Sequence, residues 1–102
     1  MSDGPLLAIA FDAEVIHWRG PAPFFFAPVP RDHAAAIKAA ARIASYGWGV
    51  VPVTAEIGGI SFTTSLFPRD GSYLVPLKDK VRAETGVSLG DQLVIAIEIN
   101  HR

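Results

Sequence analysis

The side chains that could do chemistry are few, and they gather in the second half of the sequence. Thr63-Thr64-Ser65 is a run of three hydroxyls. Lys78 and Arg82 follow, four residues apart, which sets two side chains on one face of a helix. A hydroxyl becomes a nucleophile only beside a positioned base, usually His or Lys. His17, His33 and His101 are isolated, with no motif around them. The plainer reading of the run is a strand, with Thr64 bonding backbone near a bulge or turn. No catalytic residue is assigned. Two cations with hydroxyl donors, and N–H groups at a helix start, would instead suit an anion. Thr64, Ser65, Lys78 and Arg82 are therefore the candidate anion- or ligand-binding residues. Their plainer reading is a solvated helix face, with Asp79 and Glu84 beside the two cations.

Composition excludes other chemistries. There is no cysteine, which removes thiolate catalysis, cysteine-ligated zinc, iron–sulfur clusters and disulfides. No His-x-His or His-x-x-x-His occurs, so neither a metal nor a cofactor is expected. Gly47-Trp48-Gly49 and Ile57-Gly58-Gly59 lack the spacing of a phosphate loop and read as hinge and hairpin turn. Nine Lys and Arg against ten Asp and Glu give a net charge of −1. That balance lacks the basic footprint of a nucleic-acid binder and leaves a small anion or a protein as the partner. Trp18, Trp48, Phe24 to Phe26 and Tyr73 could line an apolar pocket or fill the core.

A chain of 102 residues suffices for one domain, burying about 65% of its unfolded surface. Met1-Ser2-Asp3-Gly4-Pro5 lacks the basic region of a signal peptide. Charge or proline interrupts each apolar stretch before it could span a bilayer. The expectation is a soluble cytoplasmic protein with no membrane association, monomeric or homodimeric.

Those side chains must be positioned by elements, and the elements come in a repeated order. Leu7, Ile9, Phe11, Ala13 and Val15 alternate with charged Asp12 and Glu14, the period of a half-buried strand. After the turn Arg19-Gly20-Pro21-Ala22-Pro23, Phe24 to Val29 reads as a second strand, with Pro28 marking an edge or its end. Pro30-Arg31-Asp32 opens a helix running to about Ser45, capped by Asp32 and ended by Gly47 and Gly49. Val51, Val53, Ala55 and Ile57 line a third strand, and Gly58-Gly59 makes a hairpin into a fourth that turns Ile60, Phe62, Thr64 and Leu66 inward. Pro68-Arg69-Asp70-Gly71 reads as a turn, and Tyr73 to Leu77 as a fifth strand. A short helix from Lys78 to Thr85 stops at Gly86, and Gln92 to Ile99 is the last strand. The order is β-β-α-β twice, over 6–57 and 60–99, with Val29-Pro30 and Val75-Pro76 at matching junctions. It suggests internal duplication within one domain spanning 1–102.

Tyr73 to Arg82, Thr85-Gly-Val and Leu89-Gly-Asp91 resemble AbrB/SpoVT-type swapped-hairpin domains. Taken with Pro52-Val53, Ile57-Gly-Gly-Ile60 and Thr64-Ser-Leu-Phe-Pro68, the chain is more similar to the bacterial domain-of-unknown-function family 1905, from about Phe11 to Glu98. The resemblance implies a mainly β (α+β) fold: a six-stranded double-split β-barrel from two ββαβ halves, capped by two helices. It implies no activity. AbrB-type DNA binding needs several basic residues on one face, and only Arg82 matches here.

The leading expectation is a non-catalytic binding or interaction module. One rival is an AbrB-like DNA-binding regulator, which requires one positive face around Lys38, Arg42, Lys78 and Arg82. The other is a small enzyme using Thr64, Ser65, Lys78 or Arg82.

Overall fold

A computed structural model describes residues 4–18, 24–44 and 50–101. The alternating segments form strands β1 (Leu7–Glu14), β2 (Ile16–Trp18), β3 (Phe24–Pro28), β4 (Val51–Ile57), β5 (Ile60–Arg69), β6 (Ser72–Pro76) and β7 (Gln92–Ile99). Helix α1 (Ala34–Ile43) lies between β3 and β4, and α2 (Asp79–Thr85) between β6 and β7. All pairings are antiparallel, in the order β1-β7-β4-β5-β6-β3-β2. The result is a mainly β, curled half-barrel with two helices. Its concave side holds the core, including Val15, Ile37, Leu66, Val75, Ile95, Ile97 and Ile99. No helix among the described residues is long and apolar enough to cross a membrane.

Seven strands stand where the sequence predicts six. The stretch expected to run unbroken from Leu7 breaks at Val15 and resumes as β2. Val15 is fully buried, its N–H donates to Asp91 O and its carbonyl accepts from Gly90 N. Before it β1 pairs with β7, and after it β2 pairs with β3. β5 changes partner in the same way without breaking: Ile60 to Leu66 pair with β4, and Phe67 to Arg69 with β6.

The four strand prolines show where this is tolerated. Pro28, Pro52, Pro68 and Pro76 each have a paired neighbour on one side only. A proline cannot donate to a ladder, so it survives where one side needs no N–H. This corrects the turn expected at Pro68: strand β5 runs through it to Arg69. The turn is Asp70-Gly71 alone, with φ of 49° and 81°; Gly58-Gly59, at 57° and 82°, has the same sense. Positive φ at both central residues matches the right-handed twist of the flanking strands.

Two further expectations change. α1 is preceded by a 3-10 turn at Arg31–His33, and Asp32 makes no capping bond. The expected extension to Ser45, the glycine stop at Gly47 and Gly49, and the turn at Arg19 to Pro23 lie outside the described residues. β3 and β6 pair reciprocally about Ala27↔Val75, with Phe26↔Pro76 and Pro28↔Leu74. The Val29 N–H donates to Tyr73 O and the Leu77 N–H to Phe25 O, at 2.9 and 2.8 Å. This register makes Pro28, not Pro30, the counterpart of Pro76. Pro30 instead corresponds to Lys78, and both stand in extended backbone just before a helical turn.

Candidate functional site

Beyond Phe67↔Leu74 the pairing of β5 with β6 stops, and the two strands diverge. Their divergence opens a groove of ≈ 910 Å³ on the convex side of the sheet. Because facing and alternate residues share a side of a sheet, the pairings Pro52↔Ser65, Phe67↔Leu74 and Phe26↔Pro76 put these six side chains on that one face. Pro52, Thr63 and Ser65 lie along one wall, and Phe24, Phe26 and Pro76 along the other, with Lys78 on the rim. Phe24 and Phe67 remain 58% and 46% exposed, while Phe26 and Leu74 are buried outside the core cluster. Six apolar residues thus form a second hydrophobic surface, with hydroxyls on one side and an ammonium at its edge.

The structure brings three of the four expected residues to this groove: Thr64, Ser65 and Lys78. Adjacent residues on a strand point to opposite faces, so Thr64 and Ser65 do not act as a pair. Thr64 lies on the side of Phe62 and Leu66, whereas Ser65 shares the groove face with Thr63 and Phe67. Thr63, part of the hydroxyl run but not among the four candidate residues, is the better partner of Ser65. The 63, 65, 67 alternation is the signal that identifies it, and it extends the site to Phe67.

Arg82 is engaged elsewhere. Its guanidinium lies over the Phe25 ring, 3.9 Å from the centroid, and pairs with Asp79. Its Nε–H donates to Leu77 O at 3.2 Å. These contacts hold it in a separate hollow of ≈ 580 Å³ at the start of α2, with Phe24, Phe25, Lys78 and Lys80. Lys78 borders both places. The cations expected on one positive face also separate. Lys38 and Arg42 line a different hollow beside α1, and Lys78 and Arg82 are absent from it.

None of the three histidines borders the groove. His17 packs against the Phe25 ring at 5.0 Å, and His33 against Phe11 at 6.0 Å. Among the described residues no three His, Cys, Asp or Glu converge as metal ligands. Among the described residues Lys78 and Arg69 are the titratable groups that line the groove with its hydroxyls. Among the described residues no histidine or carboxylate borders the groove hydroxyls.

Compared with known proteins, the chain matches the family described as Domain of unknown function (DUF1905) over residues 11–97, most of its length. No curated protein matches it.

Proposed function

The chain belongs to the DUF1905 family, whose function is unknown, and from its geometry we propose a non-catalytic binding module for a small amphipathic molecule. The ligand carries an apolar body and one anionic group. The observation behind this reading is the groove between β5 and β6. Its apolar lining of Phe24, Phe26, Phe67, Leu74, Pro52 and Pro76 would hold the body, and Lys78 with the Thr63 and Ser65 hydroxyls the anion. Its volume falls within the roughly 300–1,000 Å³ of small-molecule sites.

The groove is explained by a finer architecture, a six-stranded double-split barrel capped by two helices. Counting β1 and β2 as one strand gives six. The reading is supported by the partner changes at Val15 and at Leu66–Phe67, which leave two strands each shared between two sheets. An origin by duplication of two ββαβ halves, 6–57 and 60–99 of one domain, is supported by the reciprocal bonds about Ala27 and Val75. A bacterial cytoplasmic setting suits the cysteine-free sequence.

The test is fluorescence titration with anilinonaphthalene sulfonate, an apolar ring system bearing one sulfonate. Saturable binding is expected, weakened about tenfold by Phe67→Ala and severalfold by Lys78→Gln. Binding that neither substitution alters would refute the groove as the site. Turnover of a hydrolase or transferase substrate, abolished by Ser65→Ala, would refute the non-catalytic reading.

A further inference from the structure

The hollow beside α1 is the counterpart of the one that Arg82 lines beside α2. The reciprocity of β3 and β6 matches Tyr73 with Phe25, Pro30 with Lys78, Arg31 with Asp79 and Ala34 with Arg82. At α2 an arginine covers the aromatic ring and an aspartate neutralises it. At α1 the arginine's place is taken by an alanine methyl and the aspartate's by Arg31. The space that Arg82 occupies in one hollow is therefore open in the other.

Around that opening four cations converge. Arg31 comes from the 3-10 turn, Lys38 and Arg42 from successive turns of α1, and Arg69 from the end of β5. The hollow measures ≈ 840 Å³, and Ala34, Ala35, Ala41, Val51 and Gly71 give it small walls. Among the described residues one carboxylate borders it, Asp70, which pairs with Arg69 at 3.4 Å. Among the described residues Arg31, Lys38 and Arg42 have no ion-pair partner. A chain with more acids than bases has thus gathered four of its nine cations, three of them unneutralised, around one concavity. Low-dielectric walls concentrate the field of such a set, and guanidinium groups match phosphate oxygens two at a time.

We propose that this hollow is a second, separate binding site, for a small phosphorylated molecule with more than one negative charge. Arg69 and Pro68 border both the hollow and the groove, whereas Arg31, Lys38, Arg42 and Ala34 border the hollow alone. A net charge of −1 and a positive set confined to one concavity favour a compact polyanion over a nucleic-acid strand.

Calorimetric titration of the full chain with inorganic diphosphate tests the assignment. One saturable site is expected. The double variant Lys38→Gln with Arg42→Gln, at two exposed helix positions, should weaken it at least about tenfold, since it removes two charge-assisted contacts. Ala34→Glu, which sets a carboxylate in the hollow, should abolish binding. Both variants should keep the circular dichroism of the parent, and neither should alter binding of anilinonaphthalene sulfonate in the groove. Absence of saturable diphosphate binding overturns the proposal, as does a double variant that binds like the parent. Tighter binding of duplex DNA than of diphosphate, lost in the same double variant, overturns it in favour of a nucleic-acid face.

Discussion

Beside α2 the chain supplies its own cation to an aromatic ring and its own acid to that cation. Beside α1, on matching backbone, it supplies a ring, a methyl group and a ring of positive charge. The first hollow is satisfied internally. Arg82 gains a carbonyl, a carboxylate and the face of Phe25, and it serves the fold. The second leaves Arg31, Lys38 and Arg42 without an ion-pair partner among the described residues, while Arg69 pairs with Asp70. The difference teaches that an arginine near a helix start is not evidence of a binding site until its partners are known. The sequence made Arg82 a candidate ligand residue; its guanidinium meets Phe25 and Asp79 of its own chain, whereas Arg31 lines the α1 hollow with no ion-pair partner among the described residues.

The largest effect is expected from the seat of α1. Ile37 is fully buried under that helix, so Ile37→Ala should cost about 2–5 kcal/mol in denaturant unfolding. Val81, the single buried residue of α2, is smaller, and Val81→Ala should cost about 1–3 kcal/mol. Equal costs would mean that the longer helix is no better anchored.

Next is Arg82→Ala, which empties the α2 hollow. Loss of the ring contact and of the bond to Leu77 should cost about 1–2 kcal/mol, read as a lower denaturation midpoint. A double-mutant cycle with Phe25→Leu should show coupling of about 0.5–1 kcal/mol. A fully stable Arg82→Ala protein would show that the arginine is free for a ligand after all.

Arg31→Asp gives the α1 hollow the acid that α2 has. It should weaken diphosphate binding about tenfold while leaving stability nearly unchanged. The smallest effect is expected from Asp79→Asn. The Asp79 side chain is 95% exposed, and solvent screens its pair with Arg82, so unfolding midpoints should agree within error.

Much of the fold was legible in the residues. Alternation placed β1, β4, β5 and β7, continuous apolar runs placed β3 and β6, and Gly58-Gly59 placed a hairpin. Two errors share a cause. The break at Val15 was invisible because Leu7 to Val15 alternates without interruption, and its reason, bonds to Gly90 and Asp91, lies at the other end of the chain. Pro68 read as a turn because proline is a general breaker, whereas its tolerance in β5 depends on β4 ending opposite Leu66. The site was half legible. The hydroxyl run was found, but three adjacent hydroxyls were treated as one cluster although a strand sends them to two faces. The groove aromatics were noticed as a run at Phe24 to Phe26, and nothing local separated Phe25, which faces the core, from Phe24 and Phe26, which face the groove.

From the sequence alone come the order of the main elements, the inward face of the alternating strands and the hairpin at Gly58-Gly59. Those properties follow from a residue and its nearest neighbours: side-chain period, glycine at positive φ, the missing N–H of proline. Only the tertiary structure decided which strands pair, and so where two strands part to open a groove. It also decided that Arg82 meets Phe25 while Arg31, Lys38 and Arg42 share one hollow with Arg69. Pairings such as Leu7↔Ile99 and Phe26↔Pro76 join segments distant in the chain, and their energy comes from burying both sides at once. No local rule carries that information, and the chemistry of both candidate sites rests on it.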